Sequence, residues 1–91
     1  MTKVKDSFIV CNEQGLHTRP ATELVKCVSR YRAQVKLFYQ DLEVNAKSLL
    51  GILMLAAERG AKVRIEAEGE DAQEVVSELI ELSKDKFHIR Y

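Results

Sequence analysis

Val63-Arg64-Ile65-Glu66-Ala67-Glu68 alternates apolar and charged side chains and stops at Gly69. Successive side chains of a strand point to opposite faces, so this segment is a strand with one face buried and one in water. Val35, Leu37 and Tyr39 alternate with Lys36 and Phe38 as a second such strand, and Phe8-Ile9-Val10-Cys11 reads as a short first one. Gln40-Asp41 is the turn into a short strand Leu42-Glu43-Val44-Asn45, although it lacks the Asn-Gly signal of a tight hairpin. A sheet buried on one side only points to antiparallel pairing with the helices packed on a single face.

The segments between the strands carry helical spacing. Ala21, Leu24, Val25, Val28 and Tyr31 predict a first helix from Thr18 to about Arg32. Ser48 is placed to cap a second helix beginning at Leu49, with Gly60 as its natural stop. Gly51 inside that helix costs about 1 kcal/mol relative to alanine, so the helix is short or something packs closely there. Asp71 with Glu74 makes a capping-box-like start to a third helix, whose apolar face is Ala72, Val75, Val76, Leu79, Ile80 and Phe87. The element order is β-α-β-β-α-β-α. The tail Phe87-His88-Ile89-Arg90-Tyr91 fits no element and either extends the last helix or packs loosely across the surface.

A chain of 91 residues, 46% of them apolar, reads as one domain with a core that needs neither disulfide nor metal. Lys plus Arg equals Asp plus Glu at 14 each, so no overall field draws in nucleic acid or anionic membrane, and electrostatic recognition must be local. Cys11 and Cys27 show no metal or redox spacing and read as buried small hydrophobes. His88 has no ligand partner at metal spacing, and no metal or cofactor is expected. No apolar run approaches the roughly 20 residues that span a bilayer, and Met1-Thr2-Lys3-Val4-Lys5-Asp6-Ser7 lacks a signal-peptide pattern, so the expectation is a cytoplasmic protein without membrane insertion.

The chemistry concentrates in Gly15-Leu16-His17-Thr18-Arg19-Pro20-Ala21. It sets a histidine at the start of the first helix, an arginine two residues on and a proline inside the first turn. Proline is tolerated there because the first helical amides lack an intrahelical acceptor. Those amides and the positive end of the helix dipole make an anion site. Gly15 lets the loop turn without a side chain over the imidazole, and the Arg19 guanidinium is a planar fork suited to phosphate oxygens. A lone histidine at a helix start is more often a cap or surface residue; its neighbours make this one a candidate phosphoryl acceptor.

Residue for residue, this motif resembles the active-site signature of HPr, the histidine-containing phosphocarrier family of the phosphoenolpyruvate-dependent sugar phosphotransferase system. The resemblance extends to Asn45-Ala46-Lys47-Ser48, to the strand and exit turn between Ala61 and Gly69, and to the amphipathic last helix. Residues from about 88 to 91 read as a short C-terminal extension. The resemblance implies an α+β open-faced β-sandwich, βαββαβα, in which three helices cover one side of a four-stranded antiparallel sheet. It also implies a monomeric carrier rather than an enzyme. His17 accepts a phosphoryl group through Nδ1 from phosphorylated enzyme I and passes it to the A-domains of sugar-specific enzyme II components, while Arg19 neutralises the phosphoryl oxygens. In many bacteria the serine matching Ser48 is phosphorylated by a dedicated HPr kinase/phosphorylase, linking the carrier to carbon regulation; a plain N-cap is the competing role.

The helix after Ser48 holds Leu49, Leu50, Ile52, Leu53, Met54 and Leu55, too many apolar residues for one buried face. Leu49, Leu50 and Leu53 are the candidates for an exposed docking patch, with Leu16 and Thr18 at its edge and Arg19, Lys26 and Lys47 as a positive ring. Other classes fit less well. A purely regulatory module would not need both His17 and Arg19, and an acylphosphatase-like enzyme would need a water-positioning residue. An RNA-binding sheet would need paired aromatics that no strand carries. The nearest alternative is the carrier of a nitrogen-related, non-transporting phosphotransferase branch acting mainly in signalling.

Overall fold

The computed structural model describes residues 2–90, so of the segments considered above Met1 and Tyr91 lie outside the described residues. Its elements are β1 (Lys3–Ile9), α1 (Thr18–Ser29), β2 (Gln34–Tyr39), β3 (Leu42–Asn45), α2 (Leu49–Leu55), β4 (Lys62–Glu68), α3 (Ala72–Lys84) and a short 3-10 turn over Lys86–His88. The four strands form one antiparallel sheet in the order β1-β4-β2-β3. The expected open-faced sandwich is what forms.

β4 lies inside the sheet, and its alternation decides both faces. Val63, Ile65 and Ala67 are buried under the helices with Leu24, Val28, Val75, Val76 and Leu79. The other face carries Arg64, stacked 5.3 Å from the Phe38 ring centre, and Glu66, paired with Lys3 at 3.6 Å. Charged side chains therefore cover the face that no helix reaches.

Several boundaries differ from expectation, each for a physical reason. β1 begins at Lys3 rather than Phe8. Val4 opposite Ala67 and Phe8 opposite Val63 share the core side, but exposed Asp6 between them breaks the apolar alternation. Lysines 3 and 5 sit on this sheet edge, where charge discourages further strand pairing. Val10 and Cys11 fall beyond the strand, and Cys11 is exposed rather than buried, whereas Cys27 is buried as expected.

α1 ends at Ser29, not Arg32, because the Asp71 carboxylate accepts the backbone N–H groups of Arg32 and Ala33 at 2.8 Å each and turns the chain into β2. For the same reason Asp71 makes no side-chain cap on α3, so the expected capping box is not formed. These hydrogen bonds, the one from Arg32 first, hold the Asp71 carboxyl below its ordinary range. α2 stops well before Gly60: Ala56 takes the left-handed conformation (φ 51°) and ends it. α2 is both short and closely packed, since a Cβ on Gly51 would lie 3.2 Å from that of Val44.

Phe87 is in the core but not on α3. It lies in the turn after it, with its ring edge-on to Phe8 at 5.9 Å. Ile89 is also buried, so Phe87 and Ile89 anchor the described part of the tail to the core, and this part does not extend the helix.

Candidate phosphoryl-acceptor site

The loop from β1 into α1 is built by backbone contacts. The Asn12 carbonyl accepts the Gly15 N–H at 3.0 Å, closing a turn, and the Ala57 carbonyl accepts the Leu16 N–H at 2.9 Å. Gly15 has φ +72°, and a Cβ there would run into the Ala57 carbonyl oxygen. Only glycine meets both conditions. This close approach docks the loop against the segment that follows α2.

His17 is the N-cap residue of α1, with φ −77° and ψ −172°, and its carbonyl accepts the Ala21 N–H at 3.0 Å. Its side chain makes no cap hydrogen bond. The residue is half-buried, and Nε2 is the ring atom shut off from solvent. Thr18 and Arg19 are exposed, and Pro20 is buried in the first turn. Thr18-Arg19-Pro20-Ala21 contains no acid, so no carboxylate of this first turn offsets the positive end of the helix dipole.

Beside the ring opens a cleft of about 570 Å³, lined by His17 and Leu16 with Glu13 and Gln14 on one side and Leu53, Ala56, Ala57, Glu58 and Arg59 on the other. Arg59 is a second guanidinium at the site that sequence reading missed. It lies 42 positions along the chain from His17 and carries no local motif; only the docking of Leu16 onto Ala57 brings it near.

The fold divides the candidate docking residues. Leu50 and Leu49 are 69% and 37% exposed, and Leu53 is half-buried at the cleft. Met54, outside the expected set, is 63% exposed and extends the patch one turn from Leu50. Leu16 is no rim residue: it is 4% exposed and part of the core. Lys26 sits in the last turn of α1, about 13 Å along the axis from His17, where it pairs with Glu23 at 3.4 Å. Lys47 is held by its ammonium donating to the Tyr31 carbonyl at 2.8 Å, just past the end of α1. Arg59, on the cleft side, adds a positive charge that the expected ring did not include. Ser48 caps α2, its Oγ accepting the Gly51 N–H at 3.1 Å.

A family model described as the PTS HPr component phosphorylation site matches residues 4–85 of this chain. The chain belongs to the HPr family. The phosphocarrier protein HPr of Xylella fastidiosa (strain 9a5c) is 35% identical over 85 residues, covering 93% of this chain and 96% of its own length. Among solved structures, HPr-C-His from Thermoanaerobacter tengcongensis superposes with a TM-score of 0.89 at 34% identity over 100% of both chains. A phosphocarrier protein HPr from Bacillus anthracis str. Ames does so with 0.84 at 33% identity over 89% of this chain and 96% of its own. This HPr-family chain is thus a phosphocarrier of the phosphotransferase system, and its antiparallel sheet and three helices match those of its relatives. Among the described residues no helix is long and apolar enough to cross a membrane, and no group of three or more His, Cys, Asp or Glu is placed to hold a metal ion.

Proposed function

We propose that His17 is the phosphoryl acceptor, taking the group on Nδ1 from phosphorylated enzyme I and delivering it to the A-domains of sugar-specific enzyme II components in the cytoplasm. The observation that carries this reading is the imidazole at the α1 N-cap with its Nε2 closed to solvent, which favours Nδ1 as the nucleophile. The Nδ1 lone pair forms the new N–P bond as the bond from phosphorus to the donor breaks, and the second transfer reverses the roles. Phosphoryl transfer needs positioning and charge neutralisation more than covalent help, and Arg19 with the helix mouth supplies both. Their grip is moderate, as suits a carrier, because an intermediate bound too tightly would slow its own delivery.

The exposed Leu49, Leu50 and Met54 give both partners an apolar surface beside the cleft. Ser48 caps the helix that presents this surface. Its phosphorylation by an HPr kinase/phosphorylase would add about −1.5 to −2 charge at a helix start that tolerates it, so the fold persists while docking of an acidic partner weakens. The carrier works as a monomer.

Incubation with phosphoenolpyruvate and enzyme I, followed by mass mapping of acid-labile phosphate, tests the central reading. One phosphate on the peptide containing His17 is expected, and none on His17→Ala; equal labelling of that variant refutes the assignment.

A further inference from the structure

Asn12 is 0% exposed, and its Nδ2 donates to the Lys86 carbonyl across 74 residues of chain at 2.9 Å. Its own carbonyl accepts the Gly15 N–H, so one residue joins the His17 loop to the C-terminal turn. That turn is unusual. Lys86, Phe87 and His88 take φ of 53°, 54° and 66° in succession, a left-handed run without a glycine. L-residues hold such angles only where their surroundings over-determine them. Here Phe87 is locked into the core against Phe8, and the Asp85 carboxylate takes His88 Nδ1 at 2.8 Å and Arg90 Nη1 at 3.1 Å. The turn begins just past the residues that the family model matches.

Stability alone does not account for Asn12. Its Oδ1 is buried and no protein group donates to it, a desolvation that an apolar side chain would not incur. The Lys86 carbonyl is also satisfied without it, by the Ile89 N–H at 2.9 Å. A half-satisfied buried carboxamide bridging a strained turn to the acceptor loop calls for a role in that loop.

Resting on the phosphocarrier reading of His17, we propose that Asn12 is a positioning residue for phosphoryl transfer: its clasp on the Lys86 carbonyl fixes the turn from Asn12 to Gly15 and, through it, the imidazole at the mouth of α1. The clasp touches neither the phosphoryl group nor the docking patch, so it acts on the chemical step and not on partner affinity.

The test compares wild type, Asn12→Ala and the near-isosteric Asn12→Asp, whose carboxylate cannot donate. Phosphorylation by phosphoenolpyruvate and enzyme I is followed alongside amide hydrogen exchange of the unphosphorylated proteins. Both variants are expected to unfold cooperatively, with kcat reduced at least about tenfold and KM for phospho-enzyme I within about twofold of wild type. Exchange at Gly15 and Leu16 is expected to accelerate about tenfold while β4 amides keep wild-type protection. Wild-type kcat and exchange in Asn12→Ala overturn the proposal, as does full activity in Asn12→Asp or a loss that only tracks the unfolded fraction. A wild-type chain that takes no phosphate from enzyme I refutes the phosphocarrier reading, whereas accelerated exchange in the variants still reports the clasp.

Discussion

The Ala57 carbonyl oxygen occupies the space a side chain on Gly15 would need, while the Leu16 N–H next to it donates to that same oxygen at 2.9 Å. The loop before His17 is therefore seated on the segment that follows α2 through a glycine that no other residue replaces. Gly15→Ala adds the cost of a left-handed L-residue to a steric collision, together about 2–4 kcal/mol of stability. Urea unfolding measures this directly. A Gly15→Ala variant as stable as wild type would mean that the loop is not held by this contact.

Ala56, at φ 51°, ends α2 in a conformation that favours glycine. Ala56→Gly relieves the backbone but enlarges the entropy of the unfolded chain, for a net gain of about 0.5 kcal/mol. Thermal unfolding is expected to show a small rise in Tm with His17 phosphorylation unchanged. A fall in Tm would show that the Ala56 methyl, at the edge of the cleft, contributes more than the strain costs.

Ser48 separates capping from charge. Ser48→Ala removes the acceptor for the Gly51 N–H and is expected to cost about 1 kcal/mol without slowing phosphoryl acceptance from enzyme I. Ser48→Asp keeps a capping oxygen and adds negative charge beside Leu49 and Leu50, so stability is retained while KM for the partner rises. Equal KM for both variants would remove the electrostatic switch from the proposed function.

Asp71 and Asp85 make the stability of the fold depend on pH in the acid range. Hydrogen bonds from the Arg32 and Ala33 amides lower the first, and bonds from Arg90 and then His88 lower the second. A carboxylate whose folded pKa lies below its unfolded value stabilises the fold above that unfolded value, near 3.8, and this stabilisation disappears as pH falls through the folded pKa. Asp71→Asn is expected to lower Tm by a few degrees at neutral pH, and the difference from wild type is expected to shrink as pH falls below the ordinary carboxylate value of 3.8. Parallel Tm profiles across that range would exclude the Asp71 carboxylate as the source.

The cysteines are expected to differ in accessibility to reagents. Cys11 is exposed, whereas Cys27 is buried and its burial pushes the thiol pKa up. A thiol reagent is expected to label Cys11 in the native protein and Cys27 only on unfolding. Rapid native labelling of Cys27 would show that α1 opens locally.

Sequence reading reached as far as its signals were local. The alternation around Ile65 marked the half-buried strand, and His17-Thr18-Arg19 marked the proposed acceptor motif because its residues are chain neighbours. β1 was half hidden because Asp6 sits on its otherwise apolar side. Asp71 resembled a helix cap in sequence, yet its carboxylate serves a turn 38 residues away rather than its own helix. Leu16 looked like a rim residue from its place beside His17, but the backbone turn at Gly15 sends its side chain into the core.

By itself, then, the chain's order of residues determined the strands and helices, the placing of a histidine and an arginine at a helix start, and the phosphocarrier family. Period and adjacency are set by backbone geometry over a few residues, and both survive in one dimension. Only the folded structure decided that Arg59 and Leu53 flank His17, that Lys26 pairs with Glu23 and Lys47 with the Tyr31 carbonyl, and that Asn12 grips a left-handed turn at the far end of the chain. Those relationships depend on how sheet and helices pack across tens of residues, where no local repeat records which side chains will meet.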